Sequence, residues 1–344
     1  VTATANLIVD HSSILFKNVS LKANDNLLQG DIRYQFSPRP ELNFQLDSKT
    51  INIDDFLMNN ESEQANIQQR EPQFNRLSLA LNGNIKIGNL LFKGLDFTPI
   101  SMHISSNPQT LSFNPISFTL QQGHGIIKAN MTPENSQLQI SSYVNFKDIP
   151  VGVLLKRFTK ATHFKGSLDL ISDFETTGSD FASWIANLAG EGQIKIADGT
   201  IKGIDIPYAL QSANALFHHS PTTKKQHETQ FNSLSGNYNI QNGVLSNKAL
   251  SLQVGRYLLK ANGTINLNNN QLAMSFITNN GQSSNRFVIP LSLGGTIDNP
   301  NLTVNQEAIK KEFIHTTSLP KASLPQQKQR QHGFFQSLRA YFKR

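Results

Sequence analysis

GEGQIKIADGTIKGIDIPYALQSANAL, residues 190–216, joins a strand pattern to a helix pattern in a single unit. Apolar and polar residues alternate in its first part, and Asp198-Gly199 follows, a dipeptide that favours the positive φ angles of a hairpin turn. Residues 200–204 are therefore predicted to form the return strand. Asp205 is then suited to cap a helix, because its carboxylate can accept hydrogen bonds from the first helical turn. The predicted unit is a hairpin followed by a capped helix.

Weaker copies of this strand pattern recur along the chain. Each copy has an apolar residue, a glycine two positions later, and further apolar residues at alternate positions after the glycine. The glycines of these copies are Gly30, Gly83, Gly166, Gly236, Gly263 and Gly295. Because each unit buries its apolar face only against neighbouring units, the repetition predicts an array of strands. The predicted fold class is mainly β: an elongated, curved antiparallel sheet of repeated hairpin units, with a few short helices and an open apolar groove.

Short helices are also predicted elsewhere between the strands, and two of them precede the one capped by Asp205. The first follows Pro150, which is tolerated in a first helical turn. The second is capped by Ser179 or Asp180 and carries Trp184, the lone tryptophan. This tryptophan is expected to pack its helix onto the sheet.

Composition and charge limit the classes of function. The chain has 344 residues, a formal net charge of +7 and no cysteine. Residues 306–344 hold eight basic and two acidic side chains, so the rest of the chain is close to neutral. A nucleic-acid footprint spread over the fold is therefore not expected. The lack of cysteine excludes disulfides and thiolate metal sites.

Motifs that carry catalytic chemistry are not found in the sequence. Gly190-Glu191-Gly192 precedes a strand pattern and not a helix, so it does not fit a dinucleotide-binding loop. The residues His218, His219, His227 and Glu228 are of metal-ligand types, but two neighbouring lysines would repel a cation. A solvated loop is the favoured interpretation. The sequence predicts that the protein is not an enzyme and uses no cofactor or metal.

The chain divides into five predicted segments. Residues 1–58 form a β-meander that belongs to a longer sheet truncated upstream, and 59–76 form a flexible insert that is polar and lacks periodicity. Residues 77–304 form the repeated β-sheet region. Residues 305–331 form a polar, basic linker, and 332–344 form an amphipathic, basic C-terminal helix.

The C-terminal helix is predicted to contact a membrane surface. Its apolar residues lie on one helical face and its cations lie at the margin, as in helices that bind at the lipid interface. The contacting residues are predicted to be Phe334, Phe335, Leu338, Arg339, Tyr341, Phe342 and Lys343. Docking of this helix on the sheet or on a partner protein is an open alternative.

Several runs resemble a known family. They are Leu188–Gly192, Asp198–Ile206, the residues Thr229, Phe231, Leu234 and Gly236, and the ending at 288–300. Through them, residues 160–304 resemble the C-terminal region of the AsmA family of Gram-negative envelope proteins. The resemblance implies a periplasmic β-sheet curved into a groove, anchored to the inner membrane by an N-terminal helix that is absent from this chain. Larger relatives are regarded as bridge-like lipid transporters between the two membranes.

The predicted function is binding of phospholipid acyl chains in the β-groove, in support of lipid transport and outer-membrane homeostasis. The residues predicted to line the groove are Ile85, Ile87, Leu168, Leu170, Ile194, Ile196, Leu250, Leu252, Val254, Ile265 and Leu267. The same residues could fill an ordinary dry core, and Ile196→Glu should unfold the protein in that case. The alternative function is a structural or adaptor module that contacts envelope proteins during outer-membrane protein assembly, without lipid.

Overall fold

The computed structural model describes residues 1–36, 39–55, 79–134, 136–158, 163–218, 225–279 and 289–304. These residues form one long, curved and unclosed sheet of 17 strands with three short helices. The predicted fold class is confirmed. The predicted insert (59–76), linker (305–331) and terminal helix (332–344) lie outside the described residues.

The first nine strands hold the N-terminal part of the sheet. They are β1 (Thr2–Val9), β2 (Ser13–Ala23), β3 (Asn26–Gln35), β4 (Glu41–Asn52), β5 (Ala80–Phe92), β6 (Leu95–Ser106), β7 (Leu111–Leu120), β8 (Gly123–Glu134) and β9 (Gln137–Pro150). Each strand pairs with the next one in the chain, and the pairs are antiparallel except for β4 with β5, which is parallel. A parallel pair needs a connection of roughly a dozen residues or more, and residues 53–79 separate these two strands.

The remaining strands continue the antiparallel meander. They are β10 (Phe164–Gly178), β11 (Ala189–Lys202), β12 (Glu228–Gln241), β13 (Val244–Val254), β14 (Tyr257–Asn266), β15 (Gln271–Asn279), β16 (Pro290–Gly295) and β17 (Pro300–Val304). Three helices interrupt the connections: α1 (Val151–Phe158) between β9 and β10, α2 (Phe181–Ala186) between β10 and β11, and α3 (Ile206–His218) between β11 and β12.

The helices begin where the sequence predicts them. Asp180 caps α2, and its side chain accepts a hydrogen bond from the Ser183 backbone N–H while the Ser183 hydroxyl accepts one from the Asp180 backbone N–H. The indole of Trp184 donates to the carbonyl of Gly178 at the end of β10, a contact of 2.9 Å that holds α2 on the sheet. Asp205 caps α3 by accepting from the N–H of Tyr208.

The hairpin predicted at Asp198-Gly199 is wrong. These residues lie inside β11, which runs unbroken from Ala189 to Lys202. Asp198 has a positive φ of 49°, and the register with β10 shifts by one residue there, so the dipeptide forms a bulge. A side chain at Gly199 would overlap the ring of Phe231, which lies directly opposite on β12. The glycine is therefore needed for close packing between strands and not for a chain reversal.

Some glycines of the repeat have the same packing role. Gly83 on β5 lies directly opposite Phe44 on β4, and a Cβ at Gly83 would overlap the Phe44 ring. Successive side chains alternate between the faces of a strand, so a glycine two positions before an apolar residue lies on the apolar face. There it leaves space for a large side chain of the neighbouring strand.

The main core lies toward the strand ends where α1 and α3 pack. It combines Ile206 and Leu210 of α3 with buried strand residues such as Leu95 of β6 and Leu259 of β14. Seven strands separate β6 from β14, so the curvature of the sheet brings them into one cluster. A second, smaller cluster contains Ile87, Leu90 and Ile100.

Candidate functional site

One face of the sheet is apolar across nearly its whole length. Residues directly opposite one another on paired strands point to the same face, so the register traces that face from strand to strand. For example, Leu168 and Leu170 on β10 lie opposite Ile196 and Ile194 on β11. The other face carries exposed polar side chains, such as Lys195 between those two isoleucines.

A single row of small and apolar residues crosses this face from β1 to β15, and we call it the open row. Each member lies directly opposite the next: Leu7, Phe16, Ile32, Phe44, Gly83, Ile104, Phe113, Ala129, Ser142, Phe174, Gly190, Ile240, Leu245, Ile265 and Leu272. The row contains no charged residue. With strands about 4.8 Å apart it measures about 67 Å along the sheet, more than twice the roughly 30 Å hydrocarbon core of a bilayer.

The open row is only partly covered. No member belongs to either buried cluster. Most of its side chains are half-buried, while Ala129 and Ile240 are buried and Leu7 is 59% exposed. The row therefore presents a continuous apolar surface that is neither sealed in the core nor interrupted by charge.

A cavity of about 250 Å³ opens beside the middle of the row. Its apolar walls are formed by Ile140 of β9, Phe174 of β10 and Leu188 just before β11. Ser142, Glu175 and Thr176 complete the lining. Pockets that hold a whole small molecule usually have volumes of about 300–1,000 Å³. This cavity is smaller, so it suits a segment of a longer apolar ligand.

The structure places ten of the eleven predicted groove residues on the apolar face, and Leu267 in the turn after β14. These eleven residues fall into two groups that differ in burial. Six are buried, with exposed fractions of 2–9%: Ile87, Leu168, Ile196, Leu250, Leu252 and Val254. Five are half-buried: Ile85, Leu170, Ile194, Ile265 and Leu267. The six buried residues belong to the two core clusters, and they have no free surface for a ligand.

Sequence reasoning missed most of the open row. Among the eleven predicted residues only Ile265 belongs to it, whereas Ile104, Phe113 and Phe174 were not selected. Alternation along each strand shows which face is apolar. Which residues of two neighbouring strands lie opposite each other depends on bulges that are far apart in the chain. A row of opposite residues across many strands therefore has no local signal in the sequence.

The polar face carries a cluster of acidic residues on β10 and β11. Asp173 lies directly opposite Glu191. Partial burial raises the pKa of Asp173, and the charges of Glu191 and Glu175 raise it further. Asp173 and Glu191 are on the opposite face from the open row, whereas Glu175 is among the residues that line the 250 Å³ cavity.

Clusters of metal ligands and membrane-spanning helices are both absent from the described residues. Within them there is no group of three or more histidine, aspartate or glutamate side chains that could hold a metal ion. None of the helices in the described ranges is long and apolar enough to cross a lipid bilayer.

Comparison with known proteins identifies a related family. The model of the AsmA family matches residues 3–250. Protein AsmA of Escherichia coli (strain K12) is 20% identical over 223 residues, which cover 59% of this chain and 36% of the relative. The chain thus spans about a third of the length of this relative. No solved structure matches the chain significantly.

Proposed function

Because the chain belongs to the AsmA family, we propose that it binds the acyl chains of phospholipids along the open row and supports lipid movement in the bacterial envelope. The observation that carries the proposal is the row itself. It is apolar and mostly half-buried, and its residue-by-residue register is continuous over 15 strands. An acyl chain laid on such a surface gains about 0.8 kcal/mol for each methylene removed from water.

Continuity of the row matters for transport as well as for binding. A ligand held only by non-directional apolar contacts has similar energy at successive positions along a uniform surface. Ser142 is the single polar side chain in the row, and its hydroxyl is uncharged. The polar face keeps the outer side of the sheet in contact with water. This arrangement favours a hydrophobic path through an aqueous compartment.

The location and partners belong to the same proposal. The family resemblance supports a periplasmic position on the inner-membrane side of the envelope, with phospholipid as the ligand. The predicted contact of residues 332–344 with a membrane surface would bring that end of the chain to lipid. Contact with other envelope proteins and the absence of enzymatic activity also remain predictions.

The proposal is tested by lipid extraction and mass spectrometry of the purified chain and of matched variants. Ile140→Glu places a charge on the half-buried wall of the 250 Å³ cavity. Its control, Gln139→Glu, changes the neighbouring exposed residue on the polar face of the same strand. We expect phospholipid to copurify with the wild type, and Ile140→Glu to lower its stoichiometry by at least half, while Gln139→Glu leaves it unchanged.

A second pair of variants tests continuity. Ile265→Glu changes the open row five strands away on β14, and Thr264→Glu is its exposed neighbour on the polar face. The charge beside the row at position 140 and the charge in the row at position 265 should both lower lipid content if a single path is used. A wild type that carries no lipid, or equal losses in the variants and their controls, would contradict the proposal.

One observation favours the alternative adaptor function. All eight residues of β1 are exposed, including the apolar Leu7, Ile8 and Val9. An extended edge strand with exposed apolar side chains is suited to pair with a strand of another protein. A wild type that is folded and free of lipid, and that binds an envelope protein through β1, would support this function.

A further inference from the structure

A second and larger cavity, of about 1150 Å³, lies near the strand ends where α1 packs, and the open row runs near the opposite ends of the same strands. It is enclosed by α1, the β5–β6 turn, the start of β10, the end of β11 and the β16–β17 turn. Part of its wall is apolar, formed by the half-buried Val153 and Phe164. We call it the basic cavity because of the side chains described next.

Four cationic side chains from three different elements converge on the basic cavity. Lys156 and Arg157 come from the last turn of α1, Lys165 from the start of β10, and Lys202 from the end of β11. All four are exposed, and none forms an ion pair with another described residue. Two carboxylates, of Asp96 and Asp298, also line the cavity, so the cations outnumber them.

The position of Arg157 is accommodated by a glycine. Gly94 has a φ of +65° in the β5–β6 turn, and a Cβ there would lie only 2.9 Å from the guanidinium carbon of Arg157. The guanidinium therefore lies directly over the turn, where a larger residue would displace it. Its planar fork suits bidentate binding of a phosphate, and the lysines supply further positive charge.

We propose that the basic cavity binds the phosphate ester of an amphiphile, with the phosphate on Arg157 and Lys202 and the adjoining apolar part against Val153 and Phe164. A phospholipid headgroup and a soluble phosphate ester share this chemistry, and the lipid source rests on the proposed function. A cluster of cations that form no ion pair within the described residues, beside an apolar wall, matches a charged head joined to an apolar body. The four cationic residues of the basic cavity are not among the residues that the sequence predicts to line the groove.

The proposal is tested by calorimetric titration with three water-soluble probes. Dihexanoyl phosphatidylglycerol carries both a phosphate and acyl chains. Dihexanoylglycerol lacks the phosphate, and glycerol 3-phosphate lacks the acyl chains. We expect the full probe to bind at least about tenfold more tightly than dihexanoylglycerol, a difference of about 1.4 kcal/mol. The double variant Arg157→Gln with Lys202→Gln should lose about this tenfold preference and keep its weak affinity for dihexanoylglycerol.

The control is Lys86→Gln with Lys195→Gln, which removes two exposed cations from the polar face. It changes the net charge equally and should leave the preference intact, which separates a specific site from general attraction. Equal effects of the two double variants would overturn the proposal. If glycerol 3-phosphate binds as tightly as the full probe, the phosphate chemistry is supported and the lipid source is overturned.

The outcomes also separate this inference from the proposed function. A phosphate preference that survives Ile140→Glu but is lost in Arg157→Gln with Lys202→Gln assigns the headgroup to the basic cavity. This inference would be overturned if the wild type showed no phosphate preference and the double variant kept its normal lipid content. The proposed binding of lipid along the open row would then still stand. Phosphate binding by a wild type that carries no lipid would overturn the proposed function alone.

Discussion

Replacing Thr229 by valine tests whether one buried hydroxyl fastens α3 to the sheet. Thr229 is fully buried, with an exposed fraction of 0%. Its Oγ1 donates to the carbonyl of Ile204 at 2.7 Å and accepts from the N–H of Ile206 at 2.9 Å. These two backbone groups flank Asp205, which caps α3 and also accepts from the N–H of Gln226 at 2.6 Å.

Valine has nearly the volume of threonine, so Thr229→Val removes the hydrogen bonds without opening a cavity. A buried polar group that loses its partner costs about 1–3 kcal/mol, so two such groups together cost about 2–6 kcal/mol. Thr229→Ser keeps the hydroxyl and loses one methyl group, which costs about 1 kcal/mol. The free energy of unfolding should therefore fall clearly further for valine than for serine.

The measurement is urea unfolding of the three proteins, followed by circular dichroism. A valine variant that is as stable as the serine variant, or more stable, would refute the reasoning, because the backbone groups would then have found other partners. Lipid content should follow stability in both variants, since Thr229 lies in the core and not on the open row.

Three further predictions concern other parts of the sheet. Gly199→Ala should lower the free energy of unfolding by about 1–3 kcal/mol through overpacking against the buried Phe231, whereas Gly294→Ala, with no atom within 4 Å of the new Cβ, should change it little in the same urea titration. Ile196→Glu should abolish cooperative thermal unfolding, because Ile196 is 4% exposed inside the main core and a buried unpaired charge is very costly; a folded variant would contradict this placement. Glu191→Gln should raise the free energy of unfolding at pH 7, because it removes the repulsion between Glu191 and Asp173. The gain should be only a few tenths of a kcal/mol, because solvent partly screens this repulsion. Because the raised pKa of Asp173 makes the native state bind protons more readily, this gain should shrink as pH falls through the pKa of Asp173, and a gain that is constant with pH would argue against the charge pair as its cause.

Local patterns predicted the kind of element well. Alternating apolar residues gave the strands, and the acceptors Asp180 and Asp205 marked the starts of α2 and α3 because capping depends only on the following turn. Asp198-Gly199 misled the prediction because positive φ is compatible with both a turn and a bulge. Its outcome was decided by Phe231 on the next strand, which is 32 residues away from Gly199 in sequence.

The proposed binding surface was harder to predict from the sequence than the fold. Ile194 and Ile196 lie two positions apart on β11 and point to the same face, yet Ile194 is half-buried and Ile196 is part of the sealed core. The difference arises from where α1 and α3 pack. Hydrophobicity alone selects both residues, and only the tertiary arrangement separates the half-buried residue from the buried one.

The connectivity of the meander explains why one end of the apolar face stays open. From β5 onward the strands are antiparallel, so alternate connections return to the same end of the sheet. The connections after β9 and β11 share one end, and they hold α1 and α3, whose apolar faces close the core there. The connection after β10 is at the opposite end and holds only the six-residue α2. Helices placed after alternate strands therefore cover one end of the apolar face and leave the open row accessible at the other, so the sealed core and the proposed binding surface occupy different parts of the same strands.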